Sequence, residues 1–346
     1  MGCMDIYPWG SGSVTATMRI AGLALGAVVA AVVAAVVAAT NDTVKALDKA
    51  KDDIRAKGTT ADDTPTTDLP IDWHLLSQAG GLAHEPYCPE QRIGLKVGDA
   101  ELVWKTGDGI VTSRVSVFRS ESLGIVVSYE GTGSLSLNGY VNDVDFAPTE
   151  PAGVLKGMLP EGVFVDHGFQ ANFLKTQEEV VRGVKWAMGE YGEKRVTVTG
   201  HSLGASVGQL AAVYLEGEVG IAYYLGFAPS RVGNERFADY VDKTLGGRFF
   251  YAINGADMVP RLPPRVLGYQ HPGGQVWIHP ANSEHWRFCP GQENKHCSLS
   301  VMPVPMQAGT HWGTYFHTAV GWGALICPAK VGKQGSRRRR ACVHCH

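Results

Sequence analysis

The sequence predicts an α/β fold, in which a largely parallel sheet is flanked by helices. Runs rich in β-branched and aromatic residues alternate along the chain with segments of helical length, as expected for strands joined by crossover helices. The strands are predicted near Leu95–Glu101, Val111–Phe118, Ile125–Tyr129, Arg195–Thr199, Ile221–Phe227 and Arg248–Asn254. The helices are predicted near Asn172–Tyr191, Leu203–Leu215 and Glu235–Leu245. Residues 71–330 are long enough for one such domain.

A Gly-x-Ser-x-Gly turn centred on Ser202 joins the fourth predicted strand to the helix that follows it. Such a turn is a nucleophile elbow, where glycines two residues to either side let strand and helix cross without a Cβ clash. It indicates an α/β-hydrolase fold with the Ser202 hydroxyl exposed for attack. An overlapping match centres on Ser206, but Ser206 falls one turn inside the helix, where serines usually pack or bond to the preceding turn.

A serine nucleophile needs a histidine base and an orienting acid, which in this fold follow in the order Ser, Asp or Glu, His. Asp257 lies in a proline-rich loop just after the predicted strand Arg248–Asn254. An acid at that end of the strand lies at the same sheet edge as the elbow, so Asp257 is the candidate orienting acid. The alternative role for Asp257 is to cap a turn.

Five blocks of the chain, within about residues 71–330, resemble the class 3 lipases, a family of α/β-hydrolases that includes some feruloyl esterases. The blocks are Ile125–Thr132, Asp166–Phe169, the elbow, Gly226–Asn234, and Asn254–Pro264 with Gly268–Trp277. The resemblance implies Ser202 as nucleophile and Asp257 as orienting acid. It also implies an oxyanion hole formed by Thr132 and the backbone N–H of Leu203.

The base must be chosen among twelve histidines. The block Thr310–Phe316 resembles the family's late His-x-x-Tyr-Phe motif, with one extra residue before the tyrosine, and this favours His311. His317 is the alternative base. His201 directly precedes the nucleophile and is expected to point away from it, and the histidines at 271, 279 and 285 come too early in the chain.

These residues predict a serine carboxylic-ester hydrolase that acts through an acyl-enzyme, and the resemblance implies a triacylglycerol lipase. The alternatives are an esterase for soluble aryl esters, such as feruloyl-sugar esters, and an inactive binding module on the same fold. The triad chemistry requires no metal or cofactor. The predicted partner is an acylglycerol or other ester at a lipid–water interface, with a lid expected at Gly133–Asp143. A net charge of −2 argues against nucleic acid, and no protein partner is implied.

The N-terminal part of the chain predicts export. Residues 20–39 are uncharged and follow Arg19, so residues 1–40 are expected to be a cleaved signal peptide, with a membrane anchor through residues 20–39 as the alternative. Residues 41–70 are predicted to form a polar helix and a linker, and residues 331–346 are predicted to be a disordered basic tail. Seven cysteines in a secreted chain indicate disulfides, with Cys289–Cys297 the best pair and Cys88–Cys327 a second candidate.

Overall fold

The computed structural model describes residues 63–132, 146–303 and 310–332. The predicted signal peptide or anchor (1–40), the polar helix, the lid segment (133–143) and nearly all of the basic tail lie outside the described residues. Four α-helices are present in the described part: α1 (Trp73–His84), α2 (His167–Tyr191), α3 (Leu203–Glu218) and α4 (Glu235–Leu245). No described helix has the length and apolar character needed to cross a membrane.

Nine strands form the main sheet, in the order β1-β2-β3-β4-β7-β8-β10-β12-β13. They are β1 (Lys96–Val97), β2 (Ala100–Thr106), β3 (Val115–Ser120), β4 (Gly124–Tyr129), β7 (Val196–His201), β8 (Tyr223–Phe227), β10 (Phe249–Asn254), β12 (Gln275–Ile278) and β13 (Trp286–Cys289). The five strands from β4 to β12 are parallel, and the strands that flank them are antiparallel. The predicted mainly parallel sheet is therefore confirmed at the centre of the molecule.

Two smaller sheets complete the fold. The first contains β5 (Pro148–Thr149), β6 (Val165–Asp166), β9 (Gly233–Asn234) and β11 (Tyr269–Gln270), and the second is the hairpin of β14 (Gly313–Tyr315) and β15 (Thr318–Val320). That hairpin follows His311 directly, so it brings the late part of the chain back to the main sheet.

The two faces of the main sheet bury separate hydrophobic clusters, because neighbouring residues of a strand point to opposite faces. Val127 of β4 packs in the cluster that α2, α3 and α4 cover. Val126, its neighbour, packs in the cluster covered by α1 and the β14–β15 hairpin. The central strands are consequently buried on both faces, as is usual for parallel sheets between layers of helices.

Two predicted strands differ from the structure. Val111–Phe118 was expected to be continuous, but β3 begins only at Val115, since residues 107–114 form a loop in which Asp108 accepts backbone hydrogen bonds. Leu95–Glu101 is broken by a turn at Gly98, where φ is 60°, into two antiparallel strands. The helix α1 was not predicted. It begins after Asp72, whose carboxylate accepts the N–H of His74.

Both predicted disulfides are confirmed. Cys88 is bonded to Cys327, and Cys289 to Cys297. The first closes a long loop that ties the end of α1 to the C-terminal part of the domain. Residue 67, in the predicted linker, exchanges two backbone hydrogen bonds with Phe288 of the edge strand β13.

Candidate active site

Ser202 lies between the end of β7 and the first residue of α3, with φ at 58° and ψ at −129°. A positive φ is strained for a serine and is typical of functional turns. The neighbouring glycines are required by close backbone contacts: a Cβ on Gly200 would lie 2.6 Å from Gly204, and one on Gly204 would lie 2.2 Å from the carbonyl oxygen of Tyr129. The N–H of Ser202 donates to the carbonyl of Phe227 on β8, which fixes the turn to the sheet.

The side chains of Ser202, His311 and Asp257 form one hydrogen-bonded line. His311 Nε2 is 2.9 Å from Ser202 Oγ, and His311 Nδ1 is 2.8 Å from Asp257 Oδ2. All three residues are buried, so the prediction of an exposed Ser202 hydroxyl is wrong for this structure. The structure thus brings together the three residues that the sequence predicted, although they lie far apart in the chain.

The hydrogen-bond partners of Asp257 and His311 determine which nitrogen of His311 carries the hydrogen. Asp257 follows β10, and its second carboxylate oxygen, Oδ1, accepts the N–H of Val259 at 3.0 Å. An ionised carboxylate only accepts hydrogen bonds, so His311 Nδ1 must carry a hydrogen. In the neutral imidazole Nε2 is then an acceptor, and it faces the Ser202 hydroxyl in the arrangement required of a general base.

Amide groups hold the segment that carries His311. Asn254, the last residue of β10, donates from Nδ2 to the carbonyl of Thr310 at 2.9 Å and to Asn282 Oδ1 at 3.1 Å. Asn282 Oδ1 also accepts the N–H of Thr314. The strand that leads to the Asp257 loop therefore also fixes the position of His311.

The carbonyl oxygen of His311 has two further contacts, the hydroxyl of Tyr315 at 3.2 Å and Nε2 of His201 at 3.0 Å. Because a carbonyl only accepts, Nε2 of His201 is the protonated nitrogen, and its Nδ1 accepts the hydroxyl of Tyr87 at 2.8 Å. Burial holds the pKa of His201 well below its usual value. His201 is thus a neutral support for the backbone of His311, a role that the sequence did not reveal.

The alternative base, His317, lies elsewhere. Its Nδ1 is 3.5 Å from Oε1 of Glu284, and its ring contacts the rings of Trp73 and Trp286. His271, excluded on sequence grounds, is buried and directs Nε2 to the carbonyl of Pro260. Of these histidines, the structure places His311 beside Ser202.

The two predicted oxyanion-hole residues border the elbow. Leu203 is the first residue of α3, so its N–H has no partner within the helix and lies at the positive end of the helix dipole. Thr132 follows β4, the neighbour of β7 in the sheet. Its hydroxyl is buried and has no hydrogen-bond partner among the described residues. Buried hydroxyls without a partner are uncommon, because nothing offsets the cost of removing them from water.

Ser206 and Ser230 connect the elbow to the acid loop. Ser206 Oγ donates to the carbonyl of Ser202 at 3.3 Å and accepts the N–H of Ser230 at 2.9 Å. Ser230 Oγ donates to the carbonyl of Val259, whose N–H bonds the carboxylate of Asp257. Ser206 is therefore back-bonded inside α3, as the sequence predicted, but it also has a second, longer-range contact.

One group of potential metal ligands occurs in the described part of the chain, namely His84, Cys88 and Cys327. Its two sulfurs are joined in the disulfide and are not free thiolates. His84 Nε2 instead contacts the carbonyl of Ile326 at 2.7 Å.

Comparison with known proteins identifies the family of the chain. The family model for lipase (class 3) matches residues 126–267. A secreted mono- and diacylglycerol lipase of Malassezia restricta is 47% identical over 277 residues, which cover 80% of this chain and 91% of the relative. One of Malassezia globosa, with the same description, is 42% identical and covers 81% of this chain and 92% of the relative.

Among solved structures, a lipase from Rhizopus microsporus var. chinensis superposes with a TM-score of 0.65 at 27% identity, covering 75% of this chain and 93% of that one. The fold and the family that the sequence predicted are both confirmed. The chain belongs to the class 3 lipase family and is a secreted carboxylic ester hydrolase of the α/β-hydrolase fold.

Proposed function

We propose that Ser202 is the nucleophile, His311 the general base and Asp257 the orienting acid of ester hydrolysis. The observation that carries this proposal is the buried line of hydrogen bonds from Asp257 through His311 to Ser202. Nε2 of His311 accepts the Ser202 proton as Oγ attacks the ester carbonyl, and the Asp257 carboxylate stabilises the imidazolium that forms. Nε2 then returns the proton to the leaving alcohol, and an acyl-enzyme remains on Ser202.

The second half of the reaction repeats these steps with water. His311 takes a proton from water as it attacks the acyl-enzyme, and collapse of the tetrahedral intermediate returns that proton to Ser202. In both halves the oxyanion accepts hydrogen bonds from the N–H of Leu203 and from the hydroxyl of Thr132. Removing one donor of such a pair typically lowers turnover by about 10²- to 10³-fold.

The proposed substrates are acylglycerols at a lipid–water interface, with mono- and diacylglycerols preferred over triacylglycerols. The preference is supported by relatives described as mono- and diacylglycerol lipases, at 47% and 42% identity. Preferential hydrolysis of triacylglycerol, which the family resemblance implies, is the opposing outcome. A soluble aryl ester as the best substrate would favour the esterase alternative.

The test is a comparison of rates on emulsified mono-, di- and trioleoylglycerol with rates on p-nitrophenyl butyrate and a feruloyl ester. The Ser202→Ala variant should lose activity on every ester because the attacking oxygen is gone. The Ser206→Ala variant is the matched control, a serine-to-alanine change one helical turn away that should retain most of the activity. Equal losses in the two variants would contradict the assignment of Ser202 as nucleophile.

A further inference from the structure

The loop between β2 and β3, residues 107–114, exposes two β-branched apolar side chains at its tip. Ile110 is 90% exposed and Val111 is 69% exposed. Both lie in a loop that could carry polar residues at no cost to the core. The two adjacent aliphatic side chains form a small apolar patch at the loop tip, and exposed apolar patches are typical of surfaces that contact lipid or protein.

This tip loop projects from the same sheet edge as the elbow. One row of paired residues crosses the sheet from Thr106 to Val115, then to Tyr129 and to Gly200, two residues before Ser202. With neighbouring strands about 4.8 Å apart, β3 lies roughly 10 Å from β7 at this edge. Ile110 and Val111 are thus carried by a loop at the sheet edge where Ser202 lies.

The tip loop is also fixed in shape. Asp108 Oδ1 accepts the N–H groups of residues 110, 111 and 112 at 2.8–3.0 Å. The N–H of Gly109 bonds the carbonyl of Thr112, and the N–H of Asp108 bonds the Thr112 hydroxyl. Gly107 has φ at 80°, and a Cβ there would lie 2.1 Å from the carbonyl oxygen of residue 113.

The base of the tip loop is attached to the domain at two places. Ser113 Oγ accepts Nδ2 of Asn172, near the start of α2, at 3.0 Å. Arg114 forms an ion pair with Glu130 at 3.1 Å, and Glu130 lies two residues before Thr132. The Arg114–Glu130 ion pair therefore links the loop to the segment that carries Thr132.

These contacts satisfy all five backbone N–H groups from residue 108 to residue 112 inside the loop. That property suits an apolar solvent, in which an unsatisfied N–H costs several kcal/mol. The two side chains are also too few for a stable protein interface, which needs about 800 Å² from each partner. Burial of a few aliphatic groups is, by contrast, enough for reversible adsorption to a lipid surface.

We propose that Ile110 and Val111 are an anchor that inserts into the lipid surface and places the catalytic edge of the sheet against it. The proposal rests on the proposed function, since it assumes that the substrate is a lipid aggregate. The occupant of the tip is the acyl-chain region of that aggregate. The hydrogen bonds within residues 107–114 hold the anchor in shape without a contact to substrate.

The first experiment measures binding of the full chain to vesicles of ether-linked phosphatidylcholine, which has no ester bond to hydrolyse. The double variant Ile110→Ser/Val111→Ser should weaken binding by about 10- to 100-fold, because it removes two aliphatic groups from the lipid. Its kcat/KM on p-nitrophenyl butyrate should be unchanged, while its rate on emulsified acylglycerol falls. The control is Ile93→Ser, which removes a 59% exposed isoleucine beside the middle of β2 and should leave vesicle binding unaltered.

The second experiment places a reporter at the tip. Tryptophan emission of an Ile110→Trp variant should shift to the blue when the same vesicles are added, and a quencher on the lipid chains should reduce it. Unchanged emission, or wild-type vesicle binding by the double variant, would overturn the anchor. Either result with normal turnover of p-nitrophenyl butyrate leaves the proposed function standing, whereas a wild-type chain inactive on every ester would count against that function instead.

Discussion

Replacing Asp257 by asparagine should trap His311 in the wrong tautomer. The N–H of Val259 bonds Asp257 Oδ1, so the amide oxygen of an asparagine must remain at that position to accept it. The amide NH₂ then takes the place of Oδ2, 2.8 Å from His311 Nδ1. Two donors cannot share a hydrogen bond, and Nδ1 must therefore give up its hydrogen and become an acceptor.

The loss of the hydrogen from Nδ1 changes the role of the other ring nitrogen of His311. A neutral imidazole without hydrogen on Nδ1 carries it on Nε2, which lies 2.9 Å from Ser202 Oγ. That nitrogen can no longer accept the serine proton, so general-base catalysis is lost while packing is retained. For this change of tautomer in a Ser-His-Asp triad, kcat falls by about 10⁴-fold, which corresponds to roughly 5.4 kcal/mol of transition-state stabilisation.

The assay is kcat and KM on p-nitrophenyl butyrate for wild type, Asp257→Asn and a matched control. Asp242→Asn is that control, because Asp242 is a partly buried carboxylate that also has two donors, the N–H of Gly273 and Nε2 of Gln292. We expect kcat of the control to stay within about threefold of wild type, since no reacting group is touched. An Asp257→Asn variant that keeps more than a tenth of the wild-type kcat, with an unchanged unfolding midpoint, would refute this role of the His311 tautomer.

Three further predictions concern the base, the response to acid and export. His311→Ala should lower kcat by several orders of magnitude with little change in KM, whereas His317→Ala should have a mild effect, and a reversal of these results would move the base to His317. Burial lowers the pKa of His271 from 6.5 to about 4, so below pH 6.5 protons bind the unfolded chain preferentially and the stabilising effect of the neutral ring is lost as the pH falls. The contribution of His271 to this loss is about 2 kcal/mol between pH 7.5 and pH 5. In urea unfolding a His271→Gln variant should therefore lose less stability over that range than wild type, and an equal loss in the two proteins is the contrary result. When the chain is secreted from a eukaryotic host, N-terminal sequencing should show that it begins near residue 40. A full-length chain that stays in the membrane after carbonate extraction would favour the membrane-spanning alternative through residues 20–39.

Features that depend on short-range rules could be predicted from the sequence. The elbow is local, because strand, turn and helix are consecutive and the two glycines around Ser202 are dictated by backbone contacts within that unit. The position of Asp257 followed from a general property of parallel sheets, whose strand ends share one edge. The parallel centre of the sheet is likewise a consequence of alternating strand and helix patterns.

Errors arose where a side chain competes with the ladder for backbone hydrogen bonds. Val111 is β-branched and was predicted as the start of a strand, but Asp108 accepts its N–H and that of Ile110 and closes a loop instead. The interruption at Gly98 has the same character, since one glycine at positive φ turns the chain back on itself. In both places apolar composition was a weaker guide than the polar or glycine residue next to it.

The side chains that hold the proposed base in place could not be predicted, for a different reason. His201 Nε2 reaches the carbonyl of His311 across 110 residues of sequence, and Asn254 reaches the carbonyl of Thr310 across 56. Backbone carbonyls are present at every position, so a sequence gives no sign of which one a distant side chain will contact. The side chains that react are identifiable by type, whereas the ones that hold them in place emerge only when the sheet brings β7 and β10 to the same edge. That is why the tautomer of His311, which decides whether it can act as a base, had to be read from the folded chain.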